Sequence, residues 1–238
     1  MDTSWKKNIT VVIPVCIRDF VLPEPYKQVH TIVLSNREGP LYVSHARVLR
    51  VPWRGHAQTR KEAFPHIKTK YVFFTVQDAF PSPNMLSTLH HEMEKGIWDI
   101  LLARQLPFSH SSSIVRARIE QWMPGVPDIY PFPQADHVGA LYRYQDLRQW
   151  ALPLVPIAED LWWSQGRRIA CVSKATLYHA HERDPLALYK REKAIHRQLK
   201  DLNLIKRPSL SGFLSQNKGR ERWANIMEQL GRWSAWLS

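Results

Sequence analysis

The chain has 238 residues, a length that fits one ordinary domain with at most a short appendage. A hydrophobic share of 44% and a charged share of 23% are typical of a folded globular protein and exclude a wholly disordered chain. The formal net charge of +12 favours anionic partners, such as phosphate-bearing ligands, nucleic acid or an anionic membrane surface.

The sequence carries no obvious targeting or cross-linking signal. No run reaches the roughly 18 consecutive apolar residues of a membrane-spanning helix, and no signal peptide is recognisable, so we expect a cytoplasmic protein. The two cysteines, Cys16 and Cys171, have neither the number of a disulfide framework nor the spacing of a zinc site. Each lies in an apolar run and is predicted to be a small buried residue.

Apolar, β-branched runs alternate with helical patterns along most of the chain. The predicted strands are 9–16, 30–35, 47–51, 71–76, 99–103, 137–142 and 168–178. The predicted helices are 55–64, 81–95 with Ser82 as N-cap, 113–122, 144–150, 158–165, 186–199 and a last segment from about 209. This alternation predicts an α/β domain, Rossmann-like, with a mostly parallel central sheet and helices on both faces.

The C-terminal segment is predicted to be an amphipathic helix. Its apolar stripe consists of Trp223, Ile226, Met227, Leu230, Trp233 and Leu237. The helix could pack its stripe on the domain, or it could lie on a membrane surface, because Trp and Arg suit that boundary. We therefore divide the chain into a domain over residues 1–205 and a helical extension over 206–238.

Three short patterns carry candidate chemistry. Asp78 follows the buried strand YVFFTV, where the carboxyl ends of parallel strands bind ligands, and its carboxylate suits a divalent cation. Asp78 could equally begin a turn or cap the next helix. Glu159 and Asp160 precede Trp162 and Trp163, so the carboxylates could supply a general base beside flat walls for a sugar ring, or simply cap a helix.

The third pattern is a histidine pair. His179 and His181 stand two residues apart after the strand-like run TLY, so they point the same way if the strand continues and could share a metal ligand. In a chain with 11 histidines they could also be ordinary surface or core residues.

In combination, the patterns resemble family 2 glycosyltransferases of the GT-A fold, most closely their bacterial rhamnosyltransferase-like branch. The resemblance runs from about residue 10 to residue 193. It is carried by VVIPV, GHAQTRKEAF, YVFFTVQDAFPSPNML, ARQLP and VPIAEDLWWSQGRRIACVSKATLYHAH.

This resemblance implies inverting transfer of a sugar from a nucleotide-diphosphate donor, dTDP-rhamnose or a UDP-sugar, to a saccharide or lipid-linked acceptor in surface polysaccharide synthesis. Asp78 and His181 would hold Mn²⁺ or Mg²⁺ at the diphosphate, with His179 as a helper. Asp160 would be the general base, and Glu159 would orient the acceptor or the metal shell. The implied nucleotide-sugar contacts are Pro14, Asn36, Arg60, Gln77, Asp78 and Arg104, and the acceptor contacts are Trp162 and Trp163.

Two positions depart from the family pattern. Val76 stands where many relatives have the first Asp of a DxD motif, which leaves fewer carboxylates for the metal. Asn36 stands where many relatives have an Asp that reads the nucleotide base. The alternatives are a catalytically degenerate protein of the same fold that binds a glycan, and a basic nucleic-acid-binding protein. The second is supported by charge and aromatic content alone, so no nucleic-acid partner is expected.

Overall fold

The computed structural model describes residues 3–126, 128–149, 159–180 and 185–201, together with residues 230, 232 and 234. These residues belong to two compact units, and the chain passes between them after residues 109, 118 and 180. The first unit contains every strand of the described sheet. The predicted division at residue 205 lies outside the described residues and stays a prediction.

The described strands form one sheet, and their bounds follow the apolar runs of the sequence closely. They are β1 Ile9–Val15, β2 His30–Ser35, β3 Arg47–Arg50, β4 Tyr71–Thr75, β5 Phe80–Pro81, β6 Ile100–Leu106, β7 Ile129–Pro131, β8 Gly139–Arg143 and β9 Ile169–Tyr178. The short strands β5 and β7 were not predicted, because each contains a proline and too few residues to show an alternating pattern.

Strand direction changes halfway across the sheet, whose order is β3-β2-β1-β4-β8-β6-β9-β5, with β7 also paired to β9. From β3 to β4 all pairings are parallel. Strand β8 runs antiparallel to both β4 and β6, while β6 and β9 are parallel again. The sheet is therefore parallel on one side and mixed on the other, and the α/β class predicted from the sequence is confirmed.

Both faces of the sheet are buried, which explains why β1 and β4 read as continuous apolar runs. Val11 and Phe73 belong to the core on one face, while Val12 and Phe74 belong to the core on the other. Burial on both faces requires a covering layer on each side, and the helices supply it.

The helices are α1 Glu24–Lys27, α2 His56–Lys61, α3 Met85–Glu94, α4 Ser113–Trp122, α5 Tyr144–Gln149, α6 Glu159–Trp163 and α7 Pro185–Asp201. Helix α3 inserts Leu86 and Leu89 into the first core, whereas Leu147 of α5 and Trp163 of α6 belong to the second. The prediction of helices on both faces therefore agrees with the structure.

Two local predictions are wrong. Asn84, not Ser82, occupies the N-cap position of α3. Ser82 instead extends the β5–β9 pairing, because its backbone N–H donates to the carbonyl of Thr176 at 2.9 Å. Cys16 is exposed just beyond the end of β1, whereas Cys171 is buried as predicted.

Most of the predicted C-terminal helix lies outside the described residues, including Trp223, Ile226, Met227, Trp233 and Leu237. Two of its described residues contact α7 within the second unit. The Tyr189 hydroxyl donates to Ser234 Oγ at 2.9 Å, and Arg232 Nε lies 3.3 Å from Glu192 Oε2. Among the described residues, no helix has the length and apolar character needed to cross a membrane.

Candidate functional site

Polar residues from four parts of the chain meet at the carboxyl edge of the sheet. Asp78 follows β4, His179 follows β9, and Gln105 lies near the end of β6. Because β8 is antiparallel to β4, with Gly139 opposite Thr75, the residues just before β8 reach this same edge. Asp136 is one of them, and the sheet topology therefore brings it beside residues that are distant in the sequence.

These four side chains form a series that we call the edge chain, in which hydrogen bonds link His179, Gln105 and Asp136. His179 Nε2 lies 3.8 Å from Asp78 Oδ1, and His179 Nδ1 lies 3.2 Å from Gln105 Oε1. The Gln105 side-chain amide donates to Asp136 Oδ2 at 2.8 Å, and Asp136 Oδ1 accepts the backbone N–H of Val138 at 2.9 Å. Gln105 and His179 are buried, while the Asp78 side chain is 45% exposed, so the series opens to solvent at Asp78.

A second polar cluster, which we call the buried network, is closed within the core. Arg60 Nη1 donates to Glu159 Oε1 at 2.6 Å, and His137 Nδ1 donates to the same oxygen at 2.9 Å. The other ring nitrogen of His137 lies 2.8 Å from the Tyr142 hydroxyl. The side chains of Arg60, His137 and Glu159 are all no more than 4% exposed.

Burial and the charged partners within the buried network shift the pKa values of Glu159 and His137. Burial alone would raise the pKa of Glu159, but the charge of Arg60 and the hydrogen bond from His137 outweigh it and hold the pKa well below its usual range. Burial, reinforced by the charge of Arg60, lowers the pKa of His137 to about 4. Glu159 is therefore an ionised partner of Arg60, and His137 is neutral at pH 7.

Local backbone geometry directs Arg60 into this cluster. Helix α2 begins after Gly55, whose φ of 88° lies in the left-handed region that favours glycine. The guanidinium then lies over the ring of Phe74 at 5.8 Å from its centroid. The contact adds a cation–π component to the pairing with Glu159.

Asp160 is adjacent to Glu159 in sequence but has a different environment. It lies in the first turn of α6 and is half-buried, and its Oδ1 accepts the backbone N–H of Leu161 at 2.9 Å. Burial, the charge of Glu159 and the charge of Asp136 together raise the pKa of Asp160 far above the ordinary 3.8, against a lowering by Arg60. A carboxyl group poised in this way can accept a proton near neutral pH.

Three of the sequence-predicted site residues are buried in the core. Arg60, expected near the nucleotide phosphates, is 2% exposed and paired with Glu159, which was itself expected to orient an acceptor or metal shell. Both have structural partners inside the core. Trp163, expected to line an acceptor site, is 2% exposed and stacks on Phe74 with centroids 6.1 Å apart. Trp162 is only partly buried.

The remaining predicted nucleotide-sugar residues lie along the carboxyl edge. Gln77 links β4 to β1, because its Oε1 accepts the backbone N–H of Cys16 at 2.8 Å. Pro14 lies in β1, and Asn36 follows β2 with its N–H directed to the carbonyl of Val15 at 3.4 Å. Arg104 of β6 is half-buried and donates to the carbonyl of Met123 at 3.1 Å.

A cleft of about 580 Å³ lies at the ends of β2 and β3. Its lining includes Ser35, Tyr42, Val48 and Arg50. Within the described part of the chain, the buried Ser35 Oγ has no hydrogen-bond partner. The cleft therefore has apolar and aromatic walls, with Arg50 as a cation in its lining. It does not include the edge chain.

The donors at the open end of the edge chain fit a divalent cation. Mn²⁺ and Mg²⁺ accept carboxylate oxygen, and Mn²⁺ also accepts imidazole nitrogen, which are the groups that Asp78 and His179 present to each other. The described residues contain no group of three or more His, Cys, Asp or Glu side chains able to hold a metal. A cation here would need further ligands from a diphosphate or water, and His181 lies outside the described residues.

Sequence reasoning missed three residues that organise this region: Gln105, Asp136 and His137. Gln105 stands in the quoted segment ARQLP, but its role depends on which side chains face it. Asp136 and His137 precede the apolar run GALYR, and two polar residues directly before a buried strand were the available signal.

No protein-family model matches the sequence, and no curated protein matches it. Solved structures do resemble the chain. A structure of GalNAc-T7 with UDP, GalNAc and Mn²⁺ is 10% identical, with 82% of this chain and 48% of that chain covered and a TM-score of 0.57. A structure of the mannosyltransferase PcManGT from Pyrobaculum calidifontis with GDP-Man and Mn²⁺ is 12% identical, with 99% and 75% covered and a TM-score of 0.55.

A structure of residues 1–349 of S. aureus TarS is 14% identical, with 81% of this chain and 65% of that chain covered and a TM-score of 0.48. The chain thus spans just under two thirds of that structure and about half of GalNAc-T7. The likeness to GalNAc-T7 and to the mannosyltransferase assigns the GT-A fold to the chain, as the sequence predicted.

Proposed function

We propose that the protein is an inverting glycosyltransferase that uses a nucleotide-diphosphate sugar. The observation that carries this proposal is Asp160, a half-buried carboxyl group whose pKa is raised by burial and by the charges of Glu159 and of Asp136, a member of the edge chain. The GT-A fold supports the proposal, because the two structural neighbours with that fold were solved with nucleotides or nucleotide sugars and Mn²⁺.

The donor would bind along the carboxyl edge of the sheet. Asn36 and the cleft that contains Ser35 would receive the nucleoside, with Arg50 as a nearby cation. Asp78 and His179, with His181, would hold Mn²⁺ or Mg²⁺ at the diphosphate. A bound divalent cation would neutralise the negative charge that builds on the leaving diphosphate.

The transfer itself would be a single displacement. The Asp160 carboxylate accepts the proton of the acceptor hydroxyl while that oxygen attacks the anomeric carbon of the donor. A new glycosidic C–O bond forms, and the bond from the anomeric carbon to the diphosphate oxygen breaks on the opposite face. The nucleoside diphosphate leaves with the electron pair, and one displacement inverts the anomeric configuration.

The finer assignment follows the sequence resemblance to the rhamnosyltransferase-like branch of family 2. It suggests dTDP-rhamnose or a UDP-sugar as donor and a saccharide or lipid-linked saccharide as acceptor, in surface polysaccharide synthesis. The half-buried Trp162, two residues after Asp160 on α6, would offer an apolar wall to the acceptor sugar. A cytoplasmic protein with the basic C-terminal segment at the membrane surface would suit a lipid-linked acceptor.

The test is a donor and acceptor screen with the full chain. UDP-, GDP- and dTDP-sugars are incubated with Mn²⁺ or Mg²⁺, and release of nucleoside diphosphate is measured with and without saccharide acceptors. We expect Asp160→Asn to lower acceptor-dependent transfer by about 10²- to 10⁴-fold, the usual range for loss of a general base. Asp78→Asn should abolish the stimulation by the divalent cation.

Asp99→Asn is the matched control. Asp99 precedes β6 at the opposite edge of the sheet and pairs with Arg168, with Nη2 to Oδ1 at 2.9 Å, so its loss should leave transfer intact. Transfer that persists at the wild-type rate in both Asp160→Asn and Asp78→Asn would contradict the proposal.

A glycan-binding protein without turnover is the second candidate. It is favoured by Val76, which stands at the first DxD position and packs against the core instead of offering a carboxylate. Saturable binding of saccharides with no release of nucleoside diphosphate from any donor would identify this function.

A further inference from the structure

Gln105 occupies the centre of the edge chain, although no role was assigned to it from the sequence. Its side chain is 6% exposed and lies between a histidine and a carboxylate. Oε1 faces His179 Nδ1 at 3.2 Å, and Nε2 faces Asp136 Oδ2 at 2.8 Å. A buried amide with a partner at each end has a defined orientation, which in turn constrains both partners.

The carboxylate of Asp136 fixes which way the amide points. A carboxylate oxygen only accepts hydrogen bonds, so the Gln105 NH₂ group must face it and donate. The reversed amide would set a carbonyl oxygen against the carboxylate oxygen at 2.8 Å and leave two acceptors in contact. Asp136 is itself held by the backbone N–H of Val138, so the oxygen that faces Gln105 has little freedom to move.

The orientation of the amide determines the tautomer of His179. The Gln105 carbonyl oxygen accepts only, so Nδ1 of His179 must carry the proton and donate. In the neutral ring, Nε2 then carries a lone pair, and this nitrogen faces Asp78 Oδ1 at 3.8 Å. The backbone N–H of His179 donates to the carbonyl of Leu106 at 3.0 Å, which fixes the backbone of His179 relative to β6.

We propose that Gln105 is a positioning residue that holds His179 in the Nδ1–H tautomer, so that Nε2 and the Asp78 carboxylate present two electron-pair donors to a divalent cation. The proposal rests on the proposed function for the presence of that cation. A histidine binds a metal only through an unprotonated nitrogen, and the partner of the other nitrogen decides which one is free. Asp136 acts one step further away, because it aligns Gln105.

Two substitutions of Gln105 distinguish its role as a hydrogen-bond acceptor for His179 from a role in filling space. Gln105→Met keeps the length of the side chain and removes both the acceptor and the donor. Gln105→Glu places a carboxyl group beside Asp136, and the two should share one proton, as close carboxyl pairs do. Its other oxygen still accepts from His179, so this substitution should preserve the Nδ1–H tautomer. The ring nitrogens of His179 are observed by ¹⁵N NMR in the metal-free full chain at about pH 9, where an ordinary histidine is neutral.

We expect Nδ1–H in the wild type and in Gln105→Glu, and a shift towards Nε2–H in Gln105→Met. His137 serves as the internal reference, since its Nδ1 donates to Glu159 and should keep the same tautomer in all three proteins. Titration with Mn²⁺ alone should show affinity about 10- to 100-fold weaker in Gln105→Met, the usual cost of losing a residue that orients a metal ligand. Gln105→Glu should not weaken it.

A wild-type His179 with its proton on Nε2 would overturn the proposal, and so would an unchanged tautomer in Gln105→Met. The wild-type spectrum decides the question even if Gln105→Met does not fold. Neither result depends on sugar transfer. A protein that shows the expected tautomers and Mn²⁺ affinities but no turnover would retain this inference and lose the proposed function.

Discussion

Two histidines of the same sheet edge make similar bonds at one ring nitrogen and different contacts at the other. His137 Nδ1 donates to Glu159, and His179 Nδ1 donates to Gln105. At the second nitrogen, His137 meets the hydroxyl of Tyr142 inside the core at 2.8 Å, whereas His179 faces the half-exposed Asp78. The first histidine lies among buried partners, and the second faces a carboxylate whose side chain is 45% exposed.

The comparison shows that residue type does not separate structural from functional groups in this fold. Arg60, Glu159 and His137 are residue types common in active sites, yet here Glu159 pairs with both of the others, and all three side chains are no more than 4% exposed. Gln105 is a residue type that rarely does chemistry, yet it links the two carboxylates of the edge chain through His179. The burial and partners of each side chain, rather than its residue type, therefore indicate the site.

The largest expected effect is on the buried network. Glu159→Gln removes the charge that neutralises Arg60, which is 2% exposed, and leaves a cation buried without its partner. We expect the free energy of unfolding to fall by about 3–5 kcal/mol, as for other broken buried ion pairs. Urea denaturation at pH 7 measures it.

Asp99→Asn is the control for this prediction as well, because it breaks a carboxylate–arginine pair whose arginine side chain is 62% exposed. Its effect on the free energy of unfolding should be far smaller, since solvent screens the pair. Equal effects of the two substitutions would show that the buried Arg60–Glu159 pair contributes no more to stability than the exposed Asp99–Arg168 pair.

The next effect is a pH dependence that arises from His137. Burial lowers its folded-state pKa to about 4, against 6.5 for an ordinary histidine. Between these values the unfolded chain takes up a proton that the folded protein does not, so acidification from pH 6.5 to 4 lowers the free energy of unfolding by about 3 kcal/mol. Glu159 acts mainly below this window, because its contribution is lost as the pH falls from about 4.5, the ordinary pKa of a glutamate, towards about 2.

His137→Gln tests this assignment, since glutamine can donate to Glu159 and accept from Tyr142 without titrating. We expect the free energy of unfolding of the variant to depend less on pH between 6.5 and 4 than that of the wild type. Three other histidines with lowered pKa values contribute the pH dependence of the free energy of unfolding that remains in the variant: His30, His56 and His196. Parallel curves for the two proteins, measured by urea denaturation at several pH values, would refute the role of His137.

The sequence predicts the sheet well, because its strands depend on local patterns. The run YVFFT is apolar throughout, and it becomes a strand that is buried on both faces. The order of the strands also brings together Asp78 and His179, which belong to two separate patterns in the sequence. Strands of two or three residues with a proline, such as Phe80–Pro81, lack such a pattern and form only because β9 offers free backbone groups beside them.

The side-chain partners could not be predicted in the same way. Arg60 and Glu159 are 99 residues apart, and no local spacing reports that the pair is buried. The sequence therefore suggested a phosphate contact for Arg60, as the residue type permits. Trp162 and Trp163 are adjacent and look equivalent, yet only Trp163 turns into the core, because its position on α6 faces Phe74. Such distinctions depend on the packing of whole elements.

A smaller effect is expected on the pH dependence of transfer. Asp160 is faced by Glu159 on its own helix, by Asp136 before β8, by Arg60 of α2 and by Tyr142 of β8. Its raised pKa predicts that kcat/KM falls on acidification well above pH 3.8, because the protonated carboxyl group cannot act as a base. Asp136→Asn removes one of the negative charges that raise this pKa. The fall of kcat/KM at acidic pH should therefore move to lower pH in this variant.

The measurement is the pH profile of kcat/KM at saturating Mn²⁺, so that a weaker metal site does not contribute. Asp99 lies at the other edge of the sheet, so Asp99→Asn should not change the pH at which kcat/KM falls. If the fall of kcat/KM at acidic pH moved to higher pH in Asp136→Asn, the shift would be opposite to the predicted one. Asp160 would then be excluded as the base.

The smallest effect on stability is expected at the residue with the largest proposed role in metal binding. Asp78 is 45% exposed, and its distance of 3.8 Å to His179 Nε2 is too long for a direct hydrogen bond. Asp78→Asn should therefore change the free energy of unfolding by no more than about 0.5 kcal/mol, as is usual for exposed substitutions. The same substitution should remove the rise in melting temperature that the wild type shows with Mn²⁺ and a nucleoside diphosphate, because ligands stabilise only the state that binds them. A large loss of stability in the absence of metal would instead place Asp78 with the buried network, as a residue that holds the fold together.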